Sequence, residues 1–218
     1  MLLSLAGPLA LSFDKKVAFY KKWKFLFPSM ILPAIFYIVW DMIFTKNGVW
    51  SFNINYITGL KLYNLPIEEV MFFFVVPYCC VFIYECIRCY FPNITTAAFS
   101  IRLLWTLAFF LLVVGTFNHE RAYTFYTFIF AAIFLSFILF MKRNDWVFHT
   151  TAFLLAYAII LIPFLIVNGL LTSIPVVLYN DHENLAIRLH TIPVEDIFYG
   201  MLLVLMNVVG YERLKKGS

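Results

Sequence analysis

The sequence predicts an all-α integral membrane protein of about seven transmembrane helices, arranged as two parallel three-helix repeats joined by a connector helix. Three observations carry that expectation. Of 218 residues, 63% are hydrophobic and only 13% charged, too few polar groups to clothe a water-soluble domain of this size. The apolar residues gather into runs, most of them long enough for a helix to cross a hydrocarbon core of about 30 Å, which takes about 20 residues. The chain also overlays on itself at a constant offset, the mark of an internal repeat.

The apolar runs are Leu2 to Phe13, Pro28 to Phe44, Leu65 to Ile87, Phe99 to Phe117, Ala122 to Met141, Val147 to Val167 and Ile192 to Leu214. The first is short. No basic residue precedes it and no small-x-small site follows it, which argues against a secretory signal peptide; a clipped or late-assigned start would account for its length. The formal charge of +4 does not point to nucleic acid, because the lysines lie in short loops between apolar runs. Counted by side, Lys15, Lys16, Lys21, Lys22, Lys24, Arg88, Arg102, Lys142, Arg143, Arg213, Lys215 and Lys216 fall after the odd-numbered runs, against Lys46, Lys61, Arg121 and Arg188 on the other side. Twelve against four places the C-terminus in the cytoplasm and the N-terminus outside the inner membrane.

The overlay is found at 127 residues. It sets "NLPIEEV" on "TIPVEDI": Pro66 falls on Pro193, Glu68 on Glu195 and Glu69 on Asp196. The register continues through Tyr84-Glu85 on Tyr211-Glu212, Asn53 on Asn180, Asp41 on Asn168, and Phe13-x-Lys15-Lys16 on Phe140-x-Lys142-Arg143. The division that follows is a first repeat over residues 1–95, a connector over 96–121 and a second repeat over 122–218. Equivalent helices are four spans apart and cross in the same direction, so the pseudo-two-fold axis runs along the membrane normal. Both acidic motifs then reach the non-cytoplasmic end, where they can face one cavity. The loops ahead of them, Thr45 to Asn64 and Asn168 to Thr191, carry apolar and aromatic residues suited to lie in the interface over the bundle mouth.

Proline followed by acids is a favourable helix start, since proline lacks an amide that would go unsatisfied there and carboxylates complement the positive helix end. That bland account competes with a functional one. The acids come as two pairs at matched positions, with no Lys or Arg within helical reach behind them. Neighbouring helix positions point about 100° apart, so at least one member of each pair turns inward, and an ionisable group inside a membrane bundle is a functional candidate. A helix N-terminus favours a carboxylate by roughly 0.3–1 kcal/mol, whereas two such charges about 4 Å apart repel by about 4 kcal/mol at an effective dielectric near 20. Converging pairs would therefore hold one carboxyl protonated and another ionised, a Brønsted acid and a base in one pocket. With 26 Phe, 13 Tyr and 5 Trp, most of them packing or lipid-facing, the chain can also supply rings that stabilise a cation without capturing it. Phe72, Phe73 and Tyr199, one turn past the acids, are the candidates for the cavity wall.

"LPIEEVMFF", "IPVEDIFY", "WDMIF" and "SLAGPLALSFDKKVAFYKKWKFLFP" together resemble the membrane-embedded lycopene cyclase family, whose two domains occur as separate small subunits in some bacteria and fused in other bacteria and in fungi. The likeness spans nearly the whole chain and is to the fused form, with the short first run as its main departure. The resemblance implies cyclisation of the acyclic ends of lycopene to β-ionone rings, through γ-carotene to β-carotene, with no net redox change; no bound cofactor is expected, and a small diffusible one is left open. Carried over, the acidic positions are Glu68, Glu69, Glu195 and Asp196, with Glu68 and Glu195 expected to include the proton donor. It implies lycopene and the lipid bilayer as partners and leaves room for a homo-oligomer or other carotenoid-pathway enzymes.

Asp41 and Asn168 close their runs at equivalent positions and are candidates to hydrogen-bond the motifs or simply to cap helices. Cys79, Cys80, Cys86 and Cys89 include one CxxC spacing without the second pair a metal site requires, and read as packing thiols. Asn180 to Asn184, "NDHEN", reads as a solvated loop rather than a cation site, since its repeat partner "NINYI" has no acids. "NHER", Asn118 to Arg121, reads as an interfacial turn, and His149 and His190 as boundary residues. A retinal protein needs a lysine in the last run, which Ile192 to Leu214 lacks. No GxGxxG follows a strand to hold a flavin, and no aspartate-rich Mg²⁺ pattern marks a prenyltransferase. The rival class is a small transporter or carotenoid-binding protein using the repeat interface, for which a two-sided path would be the discriminating feature.

Overall fold

The computed structural model describes residues 2–94, 96–141 and 149–217. Its helices are α1 (Leu2–Leu11), α2 (Trp23–Lys46), α3 (Ile67–Tyr90), α4 (Ala98–Phe117), α5 (Ala122–Met141), α6 (Thr150–Ser173) and α7 (Val194–Lys216). The six from α2 to α7 are long and apolar enough to cross a membrane. At 1.5 Å per residue α1 rises only about 15 Å, half the hydrocarbon core, and it packs along α3. Lys142, Arg143 and the Val147 start of the sixth run lie outside the described residues. The main differences from the apolar runs are at helix ends: α2 begins at Trp23 and α6 continues to Ser173, because a helix persists past the point where its side chains turn polar.

The 127-residue offset is visible in the coordinates element by element. It carries α2 onto α6, α3 onto α7, and α1 onto the middle of α5, so the α2–α7 and α3–α6 contacts are one seam occurring twice. On α7, Gly210 lets α2 come close: a methyl there would lie 3.3 Å from the Ser29 Cβ, the small-residue contact that lets membrane helices approach. The helix α4 joins the two repeats and packs on α5.

The loops ahead of α3 and α7 repeat as well. Strand β1 (Trp50–Phe52) is followed by the hairpin β2 (Lys61–Leu62) and β3 (Leu65–Pro66); β4 (Val177–Tyr179) is followed by β5 (Arg188–Leu189) and β6 (Ile192–Pro193). Each hairpin turns through an aromatic residue in the left-handed region, Tyr63 at φ 58° and His190 at φ 60°. Each ends on a proline whose ring fixes φ at −57° one residue before the helix. β1 and β4 pair antiparallel across the repeat boundary, Trp50 with Tyr179, Ser51 with Leu178 and Phe52 with Val177. Asn53 N–H donates to the Val176 carbonyl and Asn180 N–H to that of Val49, both at 2.9 Å. These bonds exchange under the offset, so the pseudo-dyad passes between Ser51 and Leu178. The ribbon covers one end of the bundle.

The opposite end is tied by ion pairs that also exchange. Lys215 donates to Glu85 at 2.6 Å, and Arg88, the equivalent of Lys215, donates to Glu212, the equivalent of Glu85, at 3.0 Å. Glu85 further accepts from Lys22 at 2.5 Å and from the Tyr211 hydroxyl at 2.8 Å. Each repeat thus places its acid against the other repeat's cation.

Candidate active site

Beneath the β1–β4 ribbon, side chains from α2, α3, α5, α6 and α7 line a small cavity of about 70 Å³ that is open at its mouth. Three carboxyl groups line it, Asp41, Glu69 and Asp196, with Asn168 and the hydroxyl groups of Tyr123, Tyr179 and Tyr199; among the described residues no Lys or Arg does. Trp50, Phe52, Phe72 and Phe164 supply apolar wall. Glu69 and Asp196 occupy the same position in the two motifs, the third residue of α3 and of α7, and the dyad turns them toward each other.

Their surroundings differ. Asp196, 3% exposed, accepts from the Tyr123 hydroxyl at 2.6 Å on one oxygen, and from the Tyr179 hydroxyl at 2.8 Å and the Asn168 amide at 3.2 Å on the other. Among the described residues no hydrogen-bond donor reaches the Glu69 carboxyl, which shares the cavity wall with Asp41 and Asp196. The overlay explains why. Tyr179 corresponds to Phe52 and Asn168 to Asp41, so the first half offers Glu69 a ring without a hydroxyl and an acid where the second offers donors. Asp41 is 2% exposed and accepts from the Tyr199 hydroxyl at 2.5 Å. On the ribbon, burial, with the charge of Asp196 adding to it, pushes the Tyr179 phenol well above the ordinary tyrosine range, so it keeps its proton and remains a donor.

The other member of each motif does a different job. Glu68 accepts the Thr58 amide at 2.7 Å, and Glu195 the Leu185 amide at 2.8 Å; Thr58 and Leu185 are also related by the offset. These glutamates pin the preceding loops to the helix starts. Glu195 is fully buried and takes a second bond from the Thr124 hydroxyl at 2.6 Å on the same oxygen, whereas Glu68 lies on the wetter side. Neither lines the cavity. The expectation that this identical pair includes the proton donor therefore meets a geometry in which Glu69 and Asp196 hold the cavity positions.

Tyr123 and Tyr179 are site residues that the sequence reading missed. The first turn of α5 is set by the loop "NDHEN": the Glu183 carboxylate accepts the Ala122 amide at 3.0 Å and the Glu183 carbonyl that of Tyr123 at 2.8 Å. Helix starts leave such amides unsatisfied, and filling them fixes where Tyr123 and Thr124 point. In the same loop Asp181 pairs with Arg188, so the segment expected to be merely solvated is a strut. The signal available was the overlay itself, which places a hydroxyl on Tyr179 where Phe52 has none.

The remaining candidates fall as follows. Phe72 and Tyr199, which correspond to each other, line the cavity. Phe73 does not: it is fully buried, with its ring 5.4 Å from that of Tyr37. Pro66 and Pro193 are the strand ends described above, away from the cavity wall. Asp41 and Asn168 lie inside their helices rather than at the ends and serve the site, Asn168 by direct bonding to Asp196. The Cys79 and Cys89 thiols contact the carbonyls of Ser4 and Lys16.

Among the described residues the arrangement sets an acid without donors and an acid with three in one chamber, lined by seven aromatic residues and closed on one side by a ribbon. A family model described as lycopene cyclase matches residues 1–87 and 120–214, two stretches that each contain one acidic motif. No match was found among curated proteins or solved structures.

Proposed function

The chain belongs to the lycopene cyclase family, and from that premise we propose that it closes the acyclic ends of lycopene into β-ionone rings, giving γ-carotene and then β-carotene, with Glu69 as proton donor and Asp196 as base. The observation that carries the assignment of roles is the difference in donors: three groups direct O–H or N–H bonds at Asp196, as suits a carboxylate that accepts, and among the described residues none is directed at Glu69.

In the proposed reaction the Glu69 carboxyl gives its proton to C2 of the terminal double bond, leaving a tertiary cation at C1. The C5=C6 pair attacks it, forming the C1–C6 bond and moving the cation to C5. Asp196 then takes the C6 proton, and the electron pair of that C–H bond closes the C5=C6 double bond. Atoms and electrons balance, with one proton in and one out. The faces of Phe72, Trp50, Tyr123 and Tyr199 are suited to stabilise the cation, and the ribbon to keep water from quenching it. Glu68 and Glu195 act as positioning residues. The repeats span residues 1–95 and 122–218 around the connector 96–121, and the basic loops favour a cytoplasmic C-terminus with the cavity toward the outer face of the inner membrane.

Expression in a lycopene-accumulating bacterium, with pigments separated by chromatography, tests the reading. β-Carotene is the expected product. Unchanged lycopene from a chain recovered intact in the membrane would dismiss the activity, and an ε-ring product would move the base to the C4 proton.

A further inference from the structure

The seam that occurs twice is fully buried in one place and only half-buried in the other. Between α2 and α7, Tyr37 is fully buried, Asp41 2% and Phe44 4% exposed; the Tyr37 hydroxyl donates to the Tyr199 carbonyl at 2.9 Å and the Tyr199 hydroxyl to Asp41. Between α6 and α3, the corresponding residues are Phe164, Asn168 and Leu171, all half-buried and all lining the cavity. Within the repeats the aromatic filling differs as well: Phe73 on α3 packs against Tyr37 on α2, while its counterpart Gly200 on α7 lines the cavity beside Phe164 on α6, where a methyl would lie 3.5 Å from the ring edge. The outward faces of α3 and α6 are apolar and exposed, with Met71 and Phe74 on the first and Ile166 and Leu170 on the second. Above it Phe52 and Val177 of the ribbon form a roof over the cavity.

We propose that the α3–α6 seam is a lateral portal, through which one acyclic end of the carotenoid passes from the bilayer between Phe72 and Phe164 to the acids while the rest of the polyene stays in lipid. The inference rests on the cyclase reading for the identity of the chain that enters, and on the comparison of the two seams for the route. A polyene of this kind is dissolved in the hydrocarbon core, so a sideways mouth at membrane depth spares it a passage through water. Gly200 and Leu171 are then specificity-determining positions: the first gives the end group room and the second edges the mouth.

Photocrosslinking with p-benzoylphenylalanine in place of Leu171, in membranes containing lycopene, reads the route directly. A peptide carrying the mass of the carotenoid is expected from position 171. From the control position Phe109, exposed on α4, only lipid adducts are expected. No carotenoid adduct at 171, or equal adducts at both positions, overturns the portal. As a second measurement, Gly200→Phe restores the filling found at Phe73 and is expected to lower conversion of lycopene at least tenfold and to weaken the adduct at 171; full conversion by Gly200→Phe also overturns it. If the unsubstituted chain makes no cyclic product while the adduct at 171 still forms, the reaction assigned above fails and the portal stands.

Discussion

The two halves share a scaffold and differ in chemistry. Loop strands, hairpins, left-handed turn residues and the carboxylate that pins each loop recur at a 127-residue spacing; the groups around the inward-facing acids do not. On the second half Tyr123, Tyr179 and Asn168 give Asp196 three donors. On the first, Phe52 and Asp41 stand at the places of Tyr179 and Asn168. Two equal carboxylates would make a poor acid–base pair, because a catalyst that protonates at one carbon and deprotonates at another needs them in different protonation states. A duplicated fold supplies two acids in one chamber, and a few unmatched residues divide the work.

The comparison breaks if the two acids are interchangeable. Glu69→Gln and Asp196→Asn are each expected to reduce cyclisation by about 10²- to 10⁴-fold, the usual contribution of a general acid or base, measured as pigment formed per membrane-inserted protein. Half activity in either would mean that the halves act independently. The next effect is on stability and concerns the end where the halves are alike. Glu85, with two lysines and Tyr211 on a carboxylate 2% exposed at its side chain, is expected to cost about 1–3 kcal/mol when replaced by alanine, since the buried Tyr211 hydroxyl loses its acceptor while the lysines, 25% and 31% exposed, can turn to water. Glu212→Ala, which strands one arginine, should cost less, and thermal unfolding in detergent orders the two. An effect on conversion smaller than that of the acids sharpens the donor argument. Tyr179→Phe, which makes the second half resemble the first, removes a hydrogen bond to a charged group worth about 1.5–3 kcal/mol to the folded state, so a lower melting temperature is expected together with a roughly 10- to 100-fold fall in conversion. Tyr123→Phe should act alike.

Much of this was legible in the sequence. The repeat, the membrane class, the meeting of the acidic motifs at one end and the pairing of Asp41 with Asn168 all follow from spacing and hydropathy, which local chemistry dictates. The member of each Glu-Glu or Glu-Asp pair that faces the cavity did not follow: neighbours 100° apart are equal until packing of α3 on α6 and α7 on α2 fixes the rotation of the helices. Phe73 was misjudged for the same reason, since its ring is drawn into the Tyr37 contact. The β1–β4 ribbon was read as an apolar interfacial loop, because three-residue strands carry no usable period. Tyr123 and Tyr179 were hidden by the symmetry argument itself, which attends to positions that match, while the chemistry sits where the copies differ.

The smallest expected effect tests whether the loops are equivalent in energy as well as in shape. Gly59 at φ 86° and Ala186 at φ 56° are counterparts, both left-handed and both just ahead of a hairpin whose return strand leads into a pinned helix. Glycine adopts this conformation without cost, whereas a Cβ there approaches the following carbonyl and costs about 1–2 kcal/mol. Ala186→Gly should relieve that strain and return part of the gain as unfolded-chain entropy, leaving a net stabilisation of a few tenths to about 1 kcal/mol. Gly59→Ala should destabilise by a similar or larger amount, because its φ lies further from the narrow left-handed well open to other residues. Opposite shifts in melting temperature for the two variants would establish that the halves share a backbone solution, which one of them meets with a less suitable residue. Shifts of the same sign would mean that the loops are held by different contacts and that their likeness ends at the trace of the chain.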